Sequence, residues 1–197
     1  MKKTLIFACL LLFPAGWAGA NDLPQTQQWT QSVDGAFATP LSTNDAQAFN
    51  LGWGVDGSIG YRFDPTFSLA CVAGYYEYDI QNPPAGTSGH LSYIPLMLMP
   101  RLNLLMKGRI HPYFFLGAGL AFNTFSVTTN GIGLSQQETD LLLAPGLGAI
   151  FPVADNIALF LQGRVDIDFT SSGGLGKGVD SPSIFVPIQG GVGFFVL

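Results

Sequence analysis

The sequence predicts an all-β fold, an eight-stranded antiparallel up-and-down transmembrane β-barrel. Three observations carry that prediction. Hydrophobic residues make up 48% of the chain and charged ones only 11%, with a mean hydropathy of +0.34. An average soluble domain carries about 25% charge, so little is left here for a watery exterior. Beyond the N-terminal segment, no apolar run approaches the roughly 18 residues of a spanning helix, and the richest, Leu141 to Val153, is broken by Pro145 and Pro152. Segment after segment instead alternates with a period of two. In Ile157 to Thr170, for example, Ile157, Leu159, Leu161, Val165, Ile167 and Phe169 share one face, and Gln162, Arg164, Asp166 and Asp168 the other. An exported, apolar chain without a spanning helix satisfies its backbone groups in a bilayer as a closed barrel.

Export is read from the N-terminus. Lys2 and Lys3 precede the apolar run Leu5 to Phe13, and Ala18-Gly19-Ala20 offers the small residues of a cleavage site. Residues 1–20 are therefore expected to be a removed signal peptide, residues 21–28 a short periplasmic tail, and residues 29–197 the barrel. The apolar run is about nine residues long, well short of a membrane anchor, and Pro14 follows it. Cys9 leaves with the signal and Cys71 then stands alone, which excludes an intramolecular disulfide. Roughly 175 residues remain, the length of one domain.

The strands follow in order. Trp29 to Pro40 sets Val33, Gly35 and Phe37 against Ser32, Asp34 and Ala36. Ala48 to Phe63 places Phe49, Leu51, Trp53, Val55, Ile59, Tyr61 and Phe63 on one phase, with Asn50, Asp56, Ser58 and Arg62 on the other, and Asp64-Pro65 turns the chain. Thr66 to Ile80 is ambiguous, because Phe67 and Leu69 sit on one parity and Tyr76, Tyr78 and Ile80 on the other. A bulge near Ala73 and Gly74 would reconcile them. Gln81 to His90, containing Asn-Pro-Pro-Ala-Gly, is expected to be a loop. Leu91 to Leu105 separates Ile94, Leu96, Leu98, Leu102 and Leu104 from Tyr93, Met97, Met99, Arg101 and Asn103. Lys107 to His111 is a short polar turn, Pro112 to Ser126 sends Phe114, Leu116, Ala118, Leu120 and Phe122 outward, and Val127 to Glu138 is a loop. Leu141, Leu143, Pro145, Leu147, Ala149 and Phe151 form the next apolar phase. After the turn Val153 to Asn156 and the strand from Ile157, Ser171 to Ser183 is a Gly- and Ser-rich loop. Ile184 to Leu197 closes with Ile184, Val186, Ile188, Val192, Phe194 and Val196 in phase.

Orientation sets the number of strands at eight. Single-chain bacterial barrels have an even count, short periplasmic turns and longer outer loops. The turns at Asp64, Lys107 and Val153 then face the periplasm, the strand at Ala48 descends, and Trp29 to Pro40 must rise before it. The outer loops are Leu41 to Gln47 and the three longer connections.

The signal peptide, the Ile94-Pro95-Leu96 strand, the Pro112-Tyr113 start followed by Gly117-Ala118-Gly119, and the glycine-rich last strand resemble the small outer-membrane β-barrel family. Its members include outer-membrane proteins A, X and W. The resemblance spans the mature chain and implies the outer membrane of a Gram-negative bacterium. Outer-membrane lipid and lipopolysaccharide would surround the barrel, and the barrel assembly machinery would insert it. It implies no defined activity. One departure is that such barrels commonly end in an outward aromatic residue, whereas Leu197 is one step out of phase with Val192, Phe194 and Val196.

Eight strands enclose an interior just wide enough for side chains to fill. Gly52 and Gly54, Gly117 and Gly119, Gly146 and Gly148, and Gly191 and Gly193 fall on inward phases, leaving room for large neighbours such as Tyr113, Phe115 and Arg164. Asp34, Asp56, Arg101, Arg164, Asp166 and Asp168 share the inward phases. Buried charge must be paired or hydrated, so these six are expected to form an internal ion-pair and hydrogen-bond network. The expected function is structural or interactive at the cell surface, with a filled lumen and a monomeric barrel. The alternative is a narrow channel for small or hydrophobic solutes. A second alternative is a lipid A-modifying enzyme, as some barrels of this size imply: His90 lies near Ser88 and Ser92, and if Ile80 pairs with Leu91, Asp79 comes opposite Ser92.

Other classes find little support. A net charge of −5 offers no basic surface for nucleic acid. Gly173 to Gly178 lacks the Ser or Thr that follows Lys in a phosphate loop. Two distant histidines and one mature cysteine do not space out as metal ligands, so neither metal nor cofactor is expected. Aromatic residues are expected to form two interfacial girdles: Tyr75, Tyr76, Tyr78 and Tyr93 at the outer rim, and Trp29, Tyr61, Phe63, Phe67 and Phe151 at the periplasmic one.

Overall fold

The computed structural model describes residues 28–41, 48–104, 109–169 and 182–196. The expected signal peptide with its cleavage site near Ala20, nearly all of the expected tail, most of the Ser171 to Ser183 loop, and Leu197 lie outside them. The described strands are β1 (Gln28–Pro40), β2 (Gly52–Arg62), β3 (Phe67–Asp79), β4 (Thr87–Asn103), β5 (His111–Thr129), β6 (Ile132–Ala154), β7 (Ile157–Arg164), β8 (Asp166–Phe169) and β9 (Ser183–Val196). Neighbours pair antiparallel, and β1 with β9 closes the ring.

β7 and β8 are two pieces of one stave, so the ring has eight. Apart from a one-residue shift between Pro152 and Ala154, both pieces keep a single register with β6 and with β9. The break falls at Val165, whose N–H donates to Pro145 O at 2.9 Å. Proline has no N–H to return the bond, so the ladder lapses for one residue. Following the registers once around from Gln31, through Ile59, Cys71, Leu98, Ala118, Leu143, Ile167 and Ile184, leads back to Leu41 on the first strand. That climb of roughly ten residues over eight staves corresponds to a strand tilt of roughly 40°, inside the range of closed barrels.

The faces are inverted relative to a soluble protein. Phe37, Trp53, Leu98, Leu116, Leu147, Leu161 and Ile188 are exposed, whereas Asp34, Asp56, Arg164, Asp166 and Gln189 are buried. Lipid is the solvent that makes such an exterior stable. At the short-turn end Trp29 and Tyr61 (5.3 Å), Tyr61 and Phe63 (5.1 Å), and Phe63 and Phe67 (5.6 Å) form a chain of ring contacts. Beside it Asp64 Oδ1 accepts from Thr66 N at 2.7 Å and Phe67 N at 2.8 Å, fixing the β2–β3 turn.

Several expectations are corrected. β3 carries no bulge: Ala73 pairs with Leu96 and Tyr76 with Tyr93, equal steps on both strands. Tyr76, Tyr78 and Tyr93 therefore point inward and are fully buried, and of the expected outer-rim tyrosines Tyr75 alone is on the lipid side. Phe49 is buried as well. Between the pairs Trp53–Glu77 and Phe49–Ile80, β2's side advances one residue more than β3's, and the phase flips. The expected loops at Gln81 to His90 and Val127 to Glu138 are partly strand, since β4 begins at Thr87, β5 runs to Thr129 and β6 starts at Ile132. Asn130 (φ 49°) and Gly131 (φ 84°) form the two-residue connection, both in the left-handed region that a type I′ hairpin turn requires. His111 opens β5 as a buried strand residue rather than closing a polar turn.

Candidate functional site

The side chains that converge inside the ring centre on Arg164, on the last residue of β7. Its Nε donates to Asp166 Oδ1 at 2.7 Å and its Nη1 to Asp56 Oδ2 at 2.8 Å. Its Nη2 donates to the Tyr76 hydroxyl at 3.0 Å. Tyr76 in turn donates to Asp56 Oδ2 at 2.6 Å. Strand alternation makes this possible: Arg164 and Asp166 are two residues apart and so share the inward face, while Asp56 and Tyr76 reach them from β2 and β3 across the interior.

Amide side chains extend the cluster. Gln189 Nε2 donates to the Tyr76 hydroxyl at 2.6 Å and also to Asp56 Oδ2. Gln162 Nε2 donates to Gln189 Oε1 at 2.5 Å, and the Tyr113 hydroxyl donates to Gln162 Oε1 at 2.8 Å. Tyr93 donates to Asp166 Oδ2 at 3.2 Å. One connected set of bonds thus ties β2, β3, β4, β5, β7, β8 and β9 together. Glycines make space for its rings. A Cβ on Gly54 would strike the Tyr76 ring, and one on Gly148 the Tyr113 ring.

Of the six charged residues singled out from sequence, Asp56, Arg164 and Asp166 meet in this cluster. Asp34 stands directly opposite Asp56 in the β1–β2 ladder, but its Oδ2 has no hydrogen-bond partner. Arg101 instead lies over the Tyr113 ring, 4.4 Å from its centre. Asp168 is buried outside the cluster, with the Asn123 and Tyr93 side chains as its polar neighbours. Sequence reasoning left out Tyr76, Tyr93, Gln162 and Gln189 as bonding partners. Gln162 shares the inward phase with Arg164 two residues on, and Gln189 is a lone amide on the inward phase of a largely apolar strand, which are the signals that could have found them.

The short-turn end of the interior holds open space. A cavity of about 40 Å³ is lined there by Ser32, Ser58, Arg62, Ser68 and Arg101 among others. Ser32 and Ser58 share a hydrogen bond at 2.6 Å, and Arg62 packs over Phe195 at 5.0 Å. At the opposite rim the candidate acid, base and nucleophile fall in a different register from the expected one. Tyr78 pairs with Leu91, so Asp79 stands opposite His90, and Ser92 opposite Glu77. The Ser92 hydroxyl lies 3.4 Å from that of Tyr75, which donates to Glu77 Oε2 at 2.9 Å. Among the described residues no three His, Cys, Asp or Glu side chains converge as a metal-ligand group.

The model of the outer membrane protein beta-barrel domain matches residues 5–185. The chain belongs to that family. Solved outer-membrane barrels share its fold. Neisserial surface protein A is 22% identical, with a TM-score of 0.56 over 84% of this chain and 96% of its own. Ail, the attachment invasion locus protein of Yersinia pestis, is 13% identical with a TM-score of 0.57 over 86% and 99%. The outer membrane protein OprG from Pseudomonas aeruginosa is 13% identical with a TM-score of 0.57 over 88% and 97%. No curated protein matches the sequence. In a barrel of this family the short turns lie in the periplasm. The Arg62 and Arg101 cavity therefore belongs to the periplasmic half of the lumen, and the β4, β5 and β6 extensions to the outer face.

Proposed function

We propose that this outer-membrane barrel is a non-enzymatic surface protein whose lumen is closed by the Arg164 cluster and whose β4–β5–β6 ribbon offers an interaction surface outside the membrane. The observation that carries this reading is the length of the β5–β6 ladder. Its pairing runs without interruption from His111–Ile150 to Thr129–Ile132, whereas β6 pairs with β8 only from Leu141 to Leu143. From Ile132 to Asp140, β6 therefore has a free edge among the described residues. Ile132 and Leu134 are 73% and 75% exposed. The polar stretch Ser135 to Asp140 separates them from the apolar belt that resumes at Leu141, so lipid does not cover them. An open strand edge with exposed apolar side chains is suited to capturing a partner. The fold shared with Ail, whose name refers to attachment and invasion, supports the same reading. Cells displaying an Ile132→Ser, Leu134→Ser double variant, at outer-membrane levels equal to wild type, are expected to adhere less in a surface-adhesion assay. Unchanged adhesion would refute the proposal.

One observation favours a second reading, a narrow path for small solutes. The periplasmic cavity has room for water, and Ser32, Ser58, Ser68, Arg62 and Arg101 add polar groups to its largely apolar walls. It lies below the Arg164 cluster, and conduction would require that cluster to open.

A further inference from the structure

The outer end of the lumen holds more buried carboxyl groups than Arg164 pairs with. Asp140 is 4% exposed and Asp168 1%. Arg164 forms its ion pairs with Asp56 and Asp166, which leaves Asp140 and Asp168 without a cationic partner among the described residues. A carboxyl at such burial stays ionised only where it is paired with a cation or coordinates a metal. Leu142 pairs with Asp168, so Asp140, two residues along β6 on the same inward face, is the diagonal neighbour of Asp168. Diagonal neighbours lie within about 7–8 Å, close enough for two carboxylates to hold one ion between them.

The surroundings add neutral oxygens with nothing to bind. Asn123 Oδ1 and the Tyr78 hydroxyl are buried and lack hydrogen-bond partners, and the Asp168 carboxyl has the Asn123 and Tyr93 side chains as polar neighbours. Asn123 adjoins the pair, since its Nδ2 donates to Asp140 Oδ2 at 2.7 Å. Tyr78 packs its ring at 4.9 Å on Phe185, which pairs with Asp166 on the neighbouring stave. The histidine and cysteine spacing weighed above speaks only to nitrogen and sulfur ligands. An all-oxygen set suits a hard cation, and two carboxylates balance one divalent charge.

We propose that the outer mouth of the lumen binds one divalent hard cation, calcium or magnesium, between the carboxylates of Asp140 and Asp168, with Asn123 Oδ1 and the Tyr78 hydroxyl as neutral ligands. The ion sits above Arg164 and ties β3, β5, β6 and β8 at the mouth. The test uses the full mature barrel refolded in lipid vesicles and stripped with chelator. Thermal unfolding and calorimetric titration are then followed with calcium alone and with magnesium alone. Wild type is expected to gain stability in a saturable way with at least one of the two ions. Asp168→Asn is expected to weaken the binding by about tenfold or more while remaining at least as stable as wild type in chelator, because a buried charge has been removed. Asp140→Asn decides the matter if Asp168→Asn does not fold. Asp34→Asn, which alters a buried carboxylate elsewhere in the lumen, is expected to keep the full response. No saturable response in wild type, an unchanged response in the deciding variant, or an equal loss in Asp34→Asn would overturn the proposal.

Discussion

Arg164 does what a lysine could not do at the same position. Its planar guanidinium directs three separate donors at Asp166, Asp56 and Tyr76, whereas an ammonium is a compact point charge. Truncation would leave two carboxylates buried without their counter-charge. Arg164→Ala is therefore expected to lower stability by about 3–5 kcal/mol in urea unfolding from lipid vesicles. Adding Asp56→Asn and Asp166→Asn to an Arg164→Met background is expected to recover much of that loss, because no unpaired charge remains buried. A loss of under about 1 kcal/mol for Arg164→Ala would place the residue in the range of exposed pairs and refute its burial. The inward phase placed Asp56, Arg164 and Asp166 on the lumen side of their strands. It did not distinguish them from Asp34, Arg101 and Asp168, because phase fixes a face and not a partner. The tyrosines were harder still. A Tyr at a lipid interface and a Tyr whose hydroxyl meets a buried carboxylate look alike in sequence, so Tyr76, Tyr78 and Tyr93 were expected in the outer girdle.

At the scale of the element, the β5–β6 hairpin shows where alternation stops being informative. Within the bilayer one face must be apolar, and Phe114 to Phe122 and Leu141 to Phe151 advertise their phase. Beyond it both faces meet water, so Val127 to Glu138 looks like a loop while remaining paired. The Asn130-Gly131 dipeptide was the usable signal, because both residues take positive φ in the turn. The boundary between the two regimes predicts a contrast along the barrel wall. Leu161→Arg, on the lipid face of β7, is expected to cost roughly 2–4 kcal/mol in vesicle refolding equilibria, and Leu134→Arg, on the ribbon, close to nothing. Equal costs at the two positions would mean that the bilayer does not end near Leu141.

The whole molecule follows from a closed ring of backbone hydrogen bonds with its polarity turned inside out. Low charge, absent spanning helices and period-two alternation made that architecture legible, and the spacing of the short turns supplied the eighth strand. Register was not legible, because alternation survives any even slip. Asp79 was accordingly expected opposite Ser92 and is found opposite His90. Register is also what brings β2, β3, β4, β5, β7, β8 and β9 together through a single cluster at mid-depth. If that cluster closes the lumen, the refolded barrel in a planar bilayer, bathed in concentrated potassium chloride, shows no stable unitary conductance. Reproducible unitary steps from the wild-type barrel would contradict the account.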